Sequence, residues 1–586
     1  INLVRKRGRA DAETIVTAQG GSWSNFNAML DVTGPLGFDG RLRGRAVATW
    51  RDRDYFYDTA HDKGRFFYGT LEADVTSSTL LVVGGSHDET RQTPWTTGLP
   101  RHKDGSSLGL GRDKALAASW NRWEQNSTEV FARLEQKLGE RWTLALSATH
   151  SESDMFYIAS NAIGSDAAGF GVVLGSTMGR LNSRGDETEA TRDIYDLSLQ
   201  GRFEWLGRQH TVLLGYDHQK IENNGWGLQL LWNQALPVDY DLASFGANSV
   251  PYPDGLRRTF VERNLTKKGG FYAKLQLQLA EPLKVAIGGR YASFDYSQDL
   301  DWYGVLPNPV PFHSALAYEE HDVFTPYVSV LFDVSRDWTL YGSVTEIYSS
   351  QANLLKGPLP GTSLDPISGR NYELGTKSSL RNGKLGFSFA VYRTERDGQA
   401  ETDPAYPYTA VGDVGHSCCY LDSGEVLSQG IDTEVSGEVL PGLSMFAGYT
   451  LNENENKRAN DAAWLSIAPK HIAKLWSSYR IPAAQGKWLV GGGVSVQSSR
   501  YFTGSARALN TTTGLYTGPY VPFDFTQGGY ALWNAMARYD VNADWSVAIN
   551  LNNILDKTYY RGINGPYSRN WYGEPRSFMV SLRGRF

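Results

Sequence analysis

The chain contains repeated segments in which apolar and polar side chains alternate, which is the period of a β-strand whose two faces meet different surroundings. The clearest segment spans residues 195–205. One face would carry Tyr195, Leu197, Leu199, Gly201, Phe203 and Trp205, and the other Asp196, Ser198, Gln200, Arg202 and Glu204. The same alternation recurs at residues 271–279, 385–391 and 545–552. This pattern indicates an all-β protein.

The last eleven residues form a strand that needs a partner. They read RSFMVSLRGRF, and alternate residues back from the terminus give one apolar face of Phe586, Gly584, Leu582, Val580 and Phe578. Exposed edge strands are normally blunted by charge or proline, and this one ends on an aromatic residue. We therefore predict that it pairs with the first strand and closes a barrel, with its apolar face toward lipid.

Composition excludes some classes of protein. No run approaches the ~18 to 20 consecutive apolar residues of a transmembrane helix, and mean hydropathy is only -0.39, so a helical membrane protein is excluded. A membrane barrel remains allowed because only every second strand residue faces lipid. The net charge of -6 leaves no basic footprint for nucleic acid.

Short and long connections alternate between the predicted strands. Short turns are predicted at 34–40, 139–141, 206–208, 280–282, 335–337, 381–383, 440–442 and 542–544, and long loops at 91–122, 157–189, 224–259, 298–317, 351–369, 397–427 and 502–528. Tight turns at one end and large loops at the other are typical of outer-membrane barrels. We predict a 22-stranded antiparallel transmembrane β-barrel of the outer-membrane type. The alternative is a β-sandwich or propeller with decorated loops.

Several aromatic and cysteine residues have local interpretations. Trp142, Trp205, Trp338 and Trp545 each lie beside a short turn, which favours a periplasmic aromatic girdle. Cys418 and Cys419 are adjacent, which is compatible with a vicinal disulfide or with two thiols in one loop. The chain begins at Ile1 with no methionine or signal peptide, so a processed or truncated product is expected.

A series of motifs, taken in order, resembles one family. They are INLVRKR at 1–7, GSW at 21–23, DVTGPL at 31–36, LRGR at 42–45, NYELGTK at 371–377, GIDTEVSG at 430–437, APKH at 468–471, NILDKTYY at 553–560 and GEPR at 573–576. Together they resemble the TonB-dependent outer-membrane ferric-siderophore receptors. Each motif is weak alone, but their order covers the whole chain.

The resemblance implies a domain division and a set of partners. Residues 1–10 would be the remnant of the last plug-domain strand, and 11–586 the barrel with long extracellular loops. The plug, and the TonB box ahead of it, are absent from this sequence, although a barrel this wide is expected to need a plug. The implied partners are a ferric siderophore, the TonB-ExbB-ExbD complex and the lipid bilayer of a Gram-negative outer membrane, with the protein a monomer that binds no nucleic acid.

The expected chemistry is recognition of a chelate rather than catalysis. No phosphate loop, nucleophile elbow or HExxH motif is present, so we predict no catalytic residue, no resident metal and no cofactor, with iron entering only as the siderophore chelate. Flat aromatic faces suit such a ligand. The loop aromatics are Trp226, Trp232, Tyr240, Tyr252, Trp302, Tyr303, Tyr406, Tyr408, Trp464, Tyr501 and Trp571.

The place of a residue on its predicted strand identifies candidates for binding the ligand and for contacting the plug. The predicted ligand-binding residues lie close to where strands emerge into loops, namely Trp226, Trp232, Trp302, Tyr303, Tyr348 and Trp571. The predicted plug-contacting residues of the lumen are Glu373, Lys377, Asp432, Glu434 and Arg576, and Lys274 and Arg290 are further lumen candidates. Because strand side chains alternate, Glu373 and Lys377 would share the luminal face.

The resemblance implies TonB-dependent import of a ferric siderophore into the periplasm, with a hydroxamate or mixed hydroxamate type as the first expectation. Two alternatives remain open at this point. One is the same architecture importing haem, cobalamin or a sugar. The other is a passive large porin or adhesin.

Overall fold

The structure is a computed structural model that describes residues 4–166, 169–307, 309–351, 354–358, 361–406, 417–457, 468–513 and 517–586. It is a closed 22-stranded antiparallel β-barrel, as the sequence predicts. No helix of the described residues is long and apolar enough to cross a membrane.

The barrel strands follow one another in chain order around the wall. They are β1 Glu13–Gly21, β2 Asn25–Gly37, β3 Leu42–Asp54, β4 His61–Asp74, β5 Thr79–Thr93, β6 Arg122–Leu138, β7 Trp142–Ile163, β8 Met178–Trp205, β9 Arg208–Leu231, β10 Gly255–Ala280, β11 Leu283–Trp302, β12 Phe312–Ser335, β13 Trp338–Ser349, β14 Ile367–Leu380, β15 Leu385–Thr402, β16 Tyr420–Leu440, β17 Leu443–Asn456, β18 His471–Ile481, β19 Trp488–Gln497, β20 Tyr530–Asp540, β21 Trp545–Asn552 and β22 Ser577–Arg585.

Smaller elements decorate the connections. Short strands lie at Ser165–Asp166, Gly169–Phe170, Tyr240–Asp241, Leu354–Lys356, Thr362–Ser363, Ser417–Cys418, Arg500–Arg507, Tyr520–Gln527, Tyr560–Gly562 and Trp571–Tyr572, and 3-10 turns at Phe38–Gly40 and Ala484–Gly486. One separate hairpin stands above the barrel wall and is formed by the short strands Arg500–Arg507 and Tyr520–Gln527.

Strand register separates an outer from an inner row of side chains. Leu197 pairs with Leu146, Leu146 with Leu134, and Leu134 with Leu81, so one row of leucines crosses four neighbouring strands. These side chains are 37–48% exposed although they are apolar. An exposed apolar band of this kind is what a barrel presents to lipid.

The aromatic girdle lies where the sequence predicts it. Trp142, Trp338 and Trp545 begin strands and Trp205 ends one, all four at the end with short turns. By alternation they share the outer row, Trp205 with Leu197 and Trp545 with Val547. They mark the periplasmic boundary of the lipid-facing band.

Connection lengths differ in detail from the prediction. The strands extend further into the predicted loops, so that β7 runs to Ile163 and β8 starts at Met178 where a loop at 157–189 was expected. The wall there continues beyond the bilayer: polar side chains occupy both faces of β8, and small and apolar side chains are mixed on both faces of β7, so alternation cannot reveal either strand. The extracellular connections at 22–24 and 55–60 are short, which breaks the predicted strict alternation of lengths.

The barrel closes where the last strand meets the first. Seven residue pairs join them, from Ile15 with Arg585 to Gly21 with Met579. The Gln19 amide donates to Ser581 Oγ at 2.9 Å, and Arg585 forms an ion pair with Glu13. This seam confirms that the C-terminal strand pairs with the first strand.

Residues 4–12 run along the inner wall without forming a strand. Lys6 Nζ lies 2.8 Å from Asp31 Oδ2, and Arg7 Nε lies 3.2 Å from Glu72 Oε2. Both carboxylates are nearly buried, with side-chain exposures of 2% and 4%. Lys6 and Arg7 are themselves 49% and 42% exposed, so solvent screens both ion pairs and they orient the segment rather than hold it alone.

Backbone contacts hold the same segment. The Gly8 N–H donates to Glu72 Oε1 at 2.7 Å, and the Arg9 N–H donates to Thr33 Oγ1 at 2.9 Å. A Cβ on Gly8 would lie 2.9 Å from Arg43 Cβ, so the close approach requires glycine. Residues 1–3 lie outside the described residues, and the assignment of 1–10 to a plug strand stays a prediction.

A glycine of the seam should tolerate no side chain. A Cβ on Gly21 would lie 2.4 Å from the Phe578 carbonyl oxygen, whereas a Cβ on Gly20 would meet only the Phe26 ring at 3.4 Å. We expect Gly21→Ala to destabilise the barrel by about 1–3 kcal/mol, as overpacking does, and Gly20→Ala to change little. The measurement is the temperature at which the compact band on an SDS gel converts to the unfolded band, and equal temperatures for the two variants would contradict the seam geometry.

The inner-wall segment should loosen when its carboxylate partner is removed. In Glu72→Ala the Gly8 amide loses a charged acceptor that is worth about 1.5–3 kcal/mol. We expect about 10- to 100-fold faster hydrogen exchange in a peptide that covers residues 4–12, read by mass spectrometry. The control is Asp74→Ala in the same strand, since Asp74 pairs with Arg43 instead. Unchanged protection in Glu72→Ala would show that the segment is held by other means.

Candidate functional site

Four long loops pack together at the extracellular end into a small apolar core. Its buried members include Trp95 and Leu116 from loop 94–121, Val172 from 164–177, and Leu242 from 232–254. Trp571 from loop 553–576 packs against them. Apolar residues from such distant positions make these loops one platform.

Two buried asparagines form hydrogen bonds with backbone groups of the loops. Asn570 is 1% exposed, and its Nδ2 donates to the carbonyls of Leu99 and Gly565 at 2.9 and 3.1 Å. Asn121 is 2% exposed, and its Oδ1 accepts the Ser160 N–H at 2.8 Å. Since buried loop backbone needs partners, these amides stabilise the platform.

An ion pair joins two of these loops from outside the core. Arg112 Nη1 and Nη2 donate to the two oxygens of Asp556 at 3.1 and 2.8 Å. Arg112, followed by the Arg576 N–H, lowers the pKa of Asp556 to about 2. The carboxylate therefore stays ionised, and the pair persists until pH falls from about 4 toward 2.

Aromatic rings line the platform on the side of the barrel seam. Trp95 and Trp571 have ring centroids 4.6 Å apart, and Tyr57 lies 5.0 Å from Trp95 and 6.1 Å from Trp571. Burial raises the pKa of Tyr57 to about 12, so its phenol stays neutral. Of these rings, the sequence predicts only Trp571 as a ligand-binding residue.

A cavity of about 560 Å³ lies beside these rings. We call it the seam cavity, and its walls include Trp23, Arg53, Tyr57, Arg561, Trp571 and Tyr572. It exists because the neighbouring connections at 22–24 and 55–60 are short, so that the barrel wall is low there. Arg53, one of its lining residues, pairs across the sheet with Asp62. Asp62 lies on the same face of its strand as the luminal Tyr68, so this part of the lining faces the lumen.

Two further arginines lie among loop tyrosines. Arg101 is 4% exposed, packs over the rings of Phe525 and Tyr560, and donates from Nη1 to the Gly105 carbonyl at 2.9 Å. Burial lowers the pKa of Arg101 to about 10. Arg500 donates to the Tyr560 carbonyl. This end of the molecule therefore combines flat rings with positive charge.

Trp302 is the predicted ligand residue that the register places on the luminal row of a strand. It pairs with Phe260 and Phe312, and the ring centroids are 5.8 and 6.0 Å away. It alternates with the outer-row residue Tyr291, which is 48% exposed. The three stacked rings form a ladder that faces the interior above the membrane.

The alternation of side chains along their strands places Trp226 and Tyr348 on the outer row instead. Trp226 shares its row with the exposed Tyr216, and Tyr348 shares its row with the exposed Leu340. Arg258 lies over the Trp226 ring at 5.2 Å. Position near a strand end, which was the reason for predicting these residues, does not specify the face.

The remaining predicted ligand residues lie in loops. Trp232 and Trp571 both pack against the loop core, and Trp232 Nε1 donates to the Pro251 carbonyl at 3.0 Å. Tyr303 is 41% exposed, and its N–H donates to the Thr259 carbonyl at 2.7 Å. Tyr408 and Trp464 lie outside the described residues.

Four of the five predicted plug contacts lie on the luminal row. Tyr341 donates to Glu373 at 2.6 Å, and Lys377 Nζ lies 5.1 Å from the centre of the same ring. Asp432 accepts from Thr450 Oγ1 at 2.6 Å, and Glu434 follows it on the same face. Their contact with a plug stays a prediction.

The fifth predicted contact, Arg576, lies at the extracellular rim. Its side chain is exposed, its N–H donates to Asp556 Oδ1 at 2.9 Å, and its Nη1 donates to the Ile554 carbonyl at 3.4 Å. Of the further lumen candidates, Arg290 donates to Asp217 at 2.7 Å and Lys274 is exposed. Arg290 is thus already engaged within the wall.

One trio could in principle hold a metal ion. Asp299, Asp301 and His313 have ligand atoms within 4.8 Å of one another. Arg263 Nη1 lies 3.0 Å from Asp299 and 3.4 Å from Asp301, so a protein cation already pairs with both carboxylates. The trio therefore has the character of an ion-pair cluster.

The adjacent cysteines form a vicinal disulfide. Both are buried and pack with Leu355 and the partly buried Leu316. Of the two possibilities that the sequence left open, the structure therefore has the disulfide, in a local packing role.

Comparisons with known proteins cover most or all of the chain. Residues 95–554 match the family model described as TonB dependent receptor-like, beta-barrel. The ferric-pyoverdine M114 receptor PbuA of Pseudomonas sp. is 31% identical over 100% of this chain and 68% of its own length. The ferripyoverdine receptor of Pseudomonas aeruginosa is 28% identical, with the same coverage. A crystal structure of that outer-membrane receptor bound to ferripyoverdine superposes with a TM-score of 0.85 at 26% identity, covering 99% of this chain and 73% of that one.

Proposed function

This chain belongs to the TonB-dependent receptors, as the order of its motifs predicted, and from that premise we propose that it binds a ferric siderophore and imports it across the outer membrane of a Gram-negative bacterium. The observation that carries the proposal is the similarity, over the whole chain, to receptors named for ferric pyoverdine. Pyoverdine is therefore the first ligand to test, and the hydroxamate or mixed hydroxamate type stays a prediction.

The ligand would bind at the extracellular end. Chelates of several hundred daltons are held by flat apolar faces and a few donors. The Phe260–Trp302–Phe312 ladder on the luminal row and the rings around Trp571 provide such faces. Trp226 and Tyr348 are left out of this proposal because they alternate to the outer row.

The barrel would act as a rigid frame and entry vestibule. We infer that the luminal charges Glu373, Lys377, Asp432 and Glu434 hold a plug by ion pairs and hydrogen bonds, and that TonB-ExbB-ExbD relays energy to that plug. Iron would pass as cargo within the chelate, with no protein ligand, resident cofactor or enzymatic step. The relatives are receptors, which agrees with a transport role.

Uptake should be specific and energy-dependent. Cells that depend on this protein for iron should accumulate radioactive iron from ferric pyoverdine, and a protonophore should abolish the uptake because opening the lumen needs energy from the inner membrane. The panel should include ferrichrome, ferrioxamine B, haem and cobalamin. Uptake that survives the protonophore would indicate a passive porin, and uptake of haem or cobalamin alone would replace the siderophore by another cargo.

Two tryptophans should differ because they lie on opposite faces. Trp302→Ala removes the middle ring of the ladder, and the loss of stacking and burial should weaken binding of the ferric siderophore about tenfold. Trp226→Ala removes a ring of the same size from the outer row and should change affinity by less than about twofold. Affinity is measured by titration of purified protein in detergent, and an equal effect of both substitutions would contradict the luminal site.

A further inference from the structure

The hairpin of strands Arg500–Arg507 and Tyr520–Gln527 is not part of the barrel sheet. The barrel pairing ends at Gln497, and two short joints connect it to the hairpin, Ser-Ser at 498–499 and Gly-Gly at 528–529. A Cβ on the first of these glycines would meet nothing within 4 Å. Because the joints are small and lie outside regular pairing, they allow the hairpin to turn as a unit.

Three phenylalanine rings of the hairpin lie on the loop platform. Phe502 and Phe525 are a cross-strand pair, and the Phe502 and Phe523 ring centroids are 6.3 Å apart. A Cβ on Gly105 would lie 2.6 Å from the Phe523 ring, and a Cβ on Gly565 would lie 3.4 Å from the Phe502 ring. The hairpin therefore covers parts of loops 94–121 and 553–576.

The third ring covers a buried cation. The Phe525 ring centroid lies 2.9 Å from Cζ of Arg101, whose residue is only 4% exposed. Arg101 Nη1 donates to the Gly105 carbonyl at 2.9 Å, but among the described residues its Nε has no acceptor. The Nε–Nη2 edge of a guanidinium is one that pairs with a carboxylate through two parallel hydrogen bonds.

This cation has no carboxylate partner in the part of the chain that the structure describes. The ionisable groups that act on the pKa of Arg101 are the phenols of Tyr560 and Tyr572, and burial lowers that pKa to about 10. Asp104 and Asp524, the acids next to this contact in the chain, are exposed and are not among those groups. A buried charge without an opposite charge is unfavourable, so Arg101 is suited to receive an anion.

The hairpin is held beside an existing cavity. Two hydrogen bonds join its base to Tyr560, whose N–H donates to Gln527 Oε1 at 2.9 Å and whose carbonyl accepts from Arg500. The Tyr560 ring stacks on Tyr572 at 4.3 Å, and Tyr572 lines the seam cavity. The covered guanidinium therefore lies close to space that a ligand can enter.

We propose that Arg101 pairs with a carboxylate of the siderophore, and that the hairpin is a lid that covers this guanidinium until the ligand binds. Turning of the hairpin moves the Phe525 ring away, and the carboxylate then reaches the Nε–Nη2 edge. This assignment rests on the proposed function, because it specifies that the receptor favours chelates with a free carboxylate.

The probe for the anion site is 4-fluorobenzoate, followed by fluorine NMR during titration into the full protein in detergent. We expect saturable binding to the unmodified protein and at least about tenfold weaker binding to Arg101→Gln, because a charged hydrogen bond is lost. The neutral 4-fluorobenzamide should bind more weakly and should not depend on Arg101. Equal binding of the acid to both proteins, or no saturable binding, would overturn the proposal.

Two further variants separate binding from folding. Phe525→Ala removes the cover and should bind 4-fluorobenzoate at least about threefold more tightly, since a larger fraction of the protein is open; a misfolded platform would not gain affinity. The matched control is Arg507→Gln, which removes an exposed arginine that lies over Tyr520 on the same hairpin. This variant should bind like the unmodified protein, and a loss equal to that of Arg101→Gln would contradict the site.

Hydrogen exchange tests the movement of the lid. Saturating 4-fluorobenzoate should speed exchange in the peptide that contains Tyr560, because its amide loses the Gln527 acceptor when the hairpin turns. The same addition should have no effect on Arg101→Gln. Unchanged exchange in the unmodified protein at saturation would overturn the lid.

The same proteins distinguish this inference from the proposed function. If cells take up iron from ferric pyoverdine while 4-fluorobenzoate binds the unmodified protein and Arg101→Gln equally, the receptor function stands and the anion site fails. If binding of 4-fluorobenzoate requires Arg101 while no ferric siderophore is taken up, the anion site stands and the siderophore function fails.

Discussion

The structure depends on the closure of its hydrogen-bonded strand ladder. In a bilayer every unsatisfied backbone group costs several kcal/mol, so a sheet can span it only without free edges. Here the requirement is met by the pairing of Glu13–Gly21 with Ser577–Arg585. The apolar end of the chain, the close approach at Gly21 and the outer leucine row all follow from that closure.

Closure also determines where function can be located. Within the bilayer the outer row must be apolar and the inner row is free to carry charge, as Asp31, Glu72 and Glu373 do. Beyond the bilayer the strands continue as walls that support the loops. The loop core around Leu116 and Asn570 makes these loops a platform, and the short connections near the seam leave room for a cavity between the platform and the wall.

Much of the barrel could be predicted from the sequence because a strand with one face toward lipid must alternate apolar and polar side chains every two residues. Strand number, polarity of the connections, the seam and the tryptophan girdle all follow from it. The prediction was less accurate where lipid ends, since the upper parts of β7 and β8 carry no regular alternation of polar and apolar side chains. It also could not assign a face to Trp226 or Tyr348, because near a strand end alternation is no longer visible.

The candidate site was harder to predict, because its residues meet only in the folded loops. Tyr57 lies near the start of the chain and Arg561 and Tyr572 near its end, and none of them belongs to a periodic segment, although the TYY and NWYG stretches concentrate aromatic residues near the end of the chain. The contacts among these side chains are a property of the folded loops, and no local sequence pattern encodes them.

The claim on which this account depends is that neighbouring residues of one strand meet hydrocarbon and lumen in turn. The most direct measurement is the collision rate of spin labels placed singly at residues 196–199 in bilayers, with oxygen as the apolar collider and a water-soluble nickel chelate as the polar one. The account predicts high oxygen and low nickel accessibility at positions 197 and 199, and lower oxygen accessibility at 196 and 198. The same accessibility at all four positions, or the reverse alternation, would contradict it.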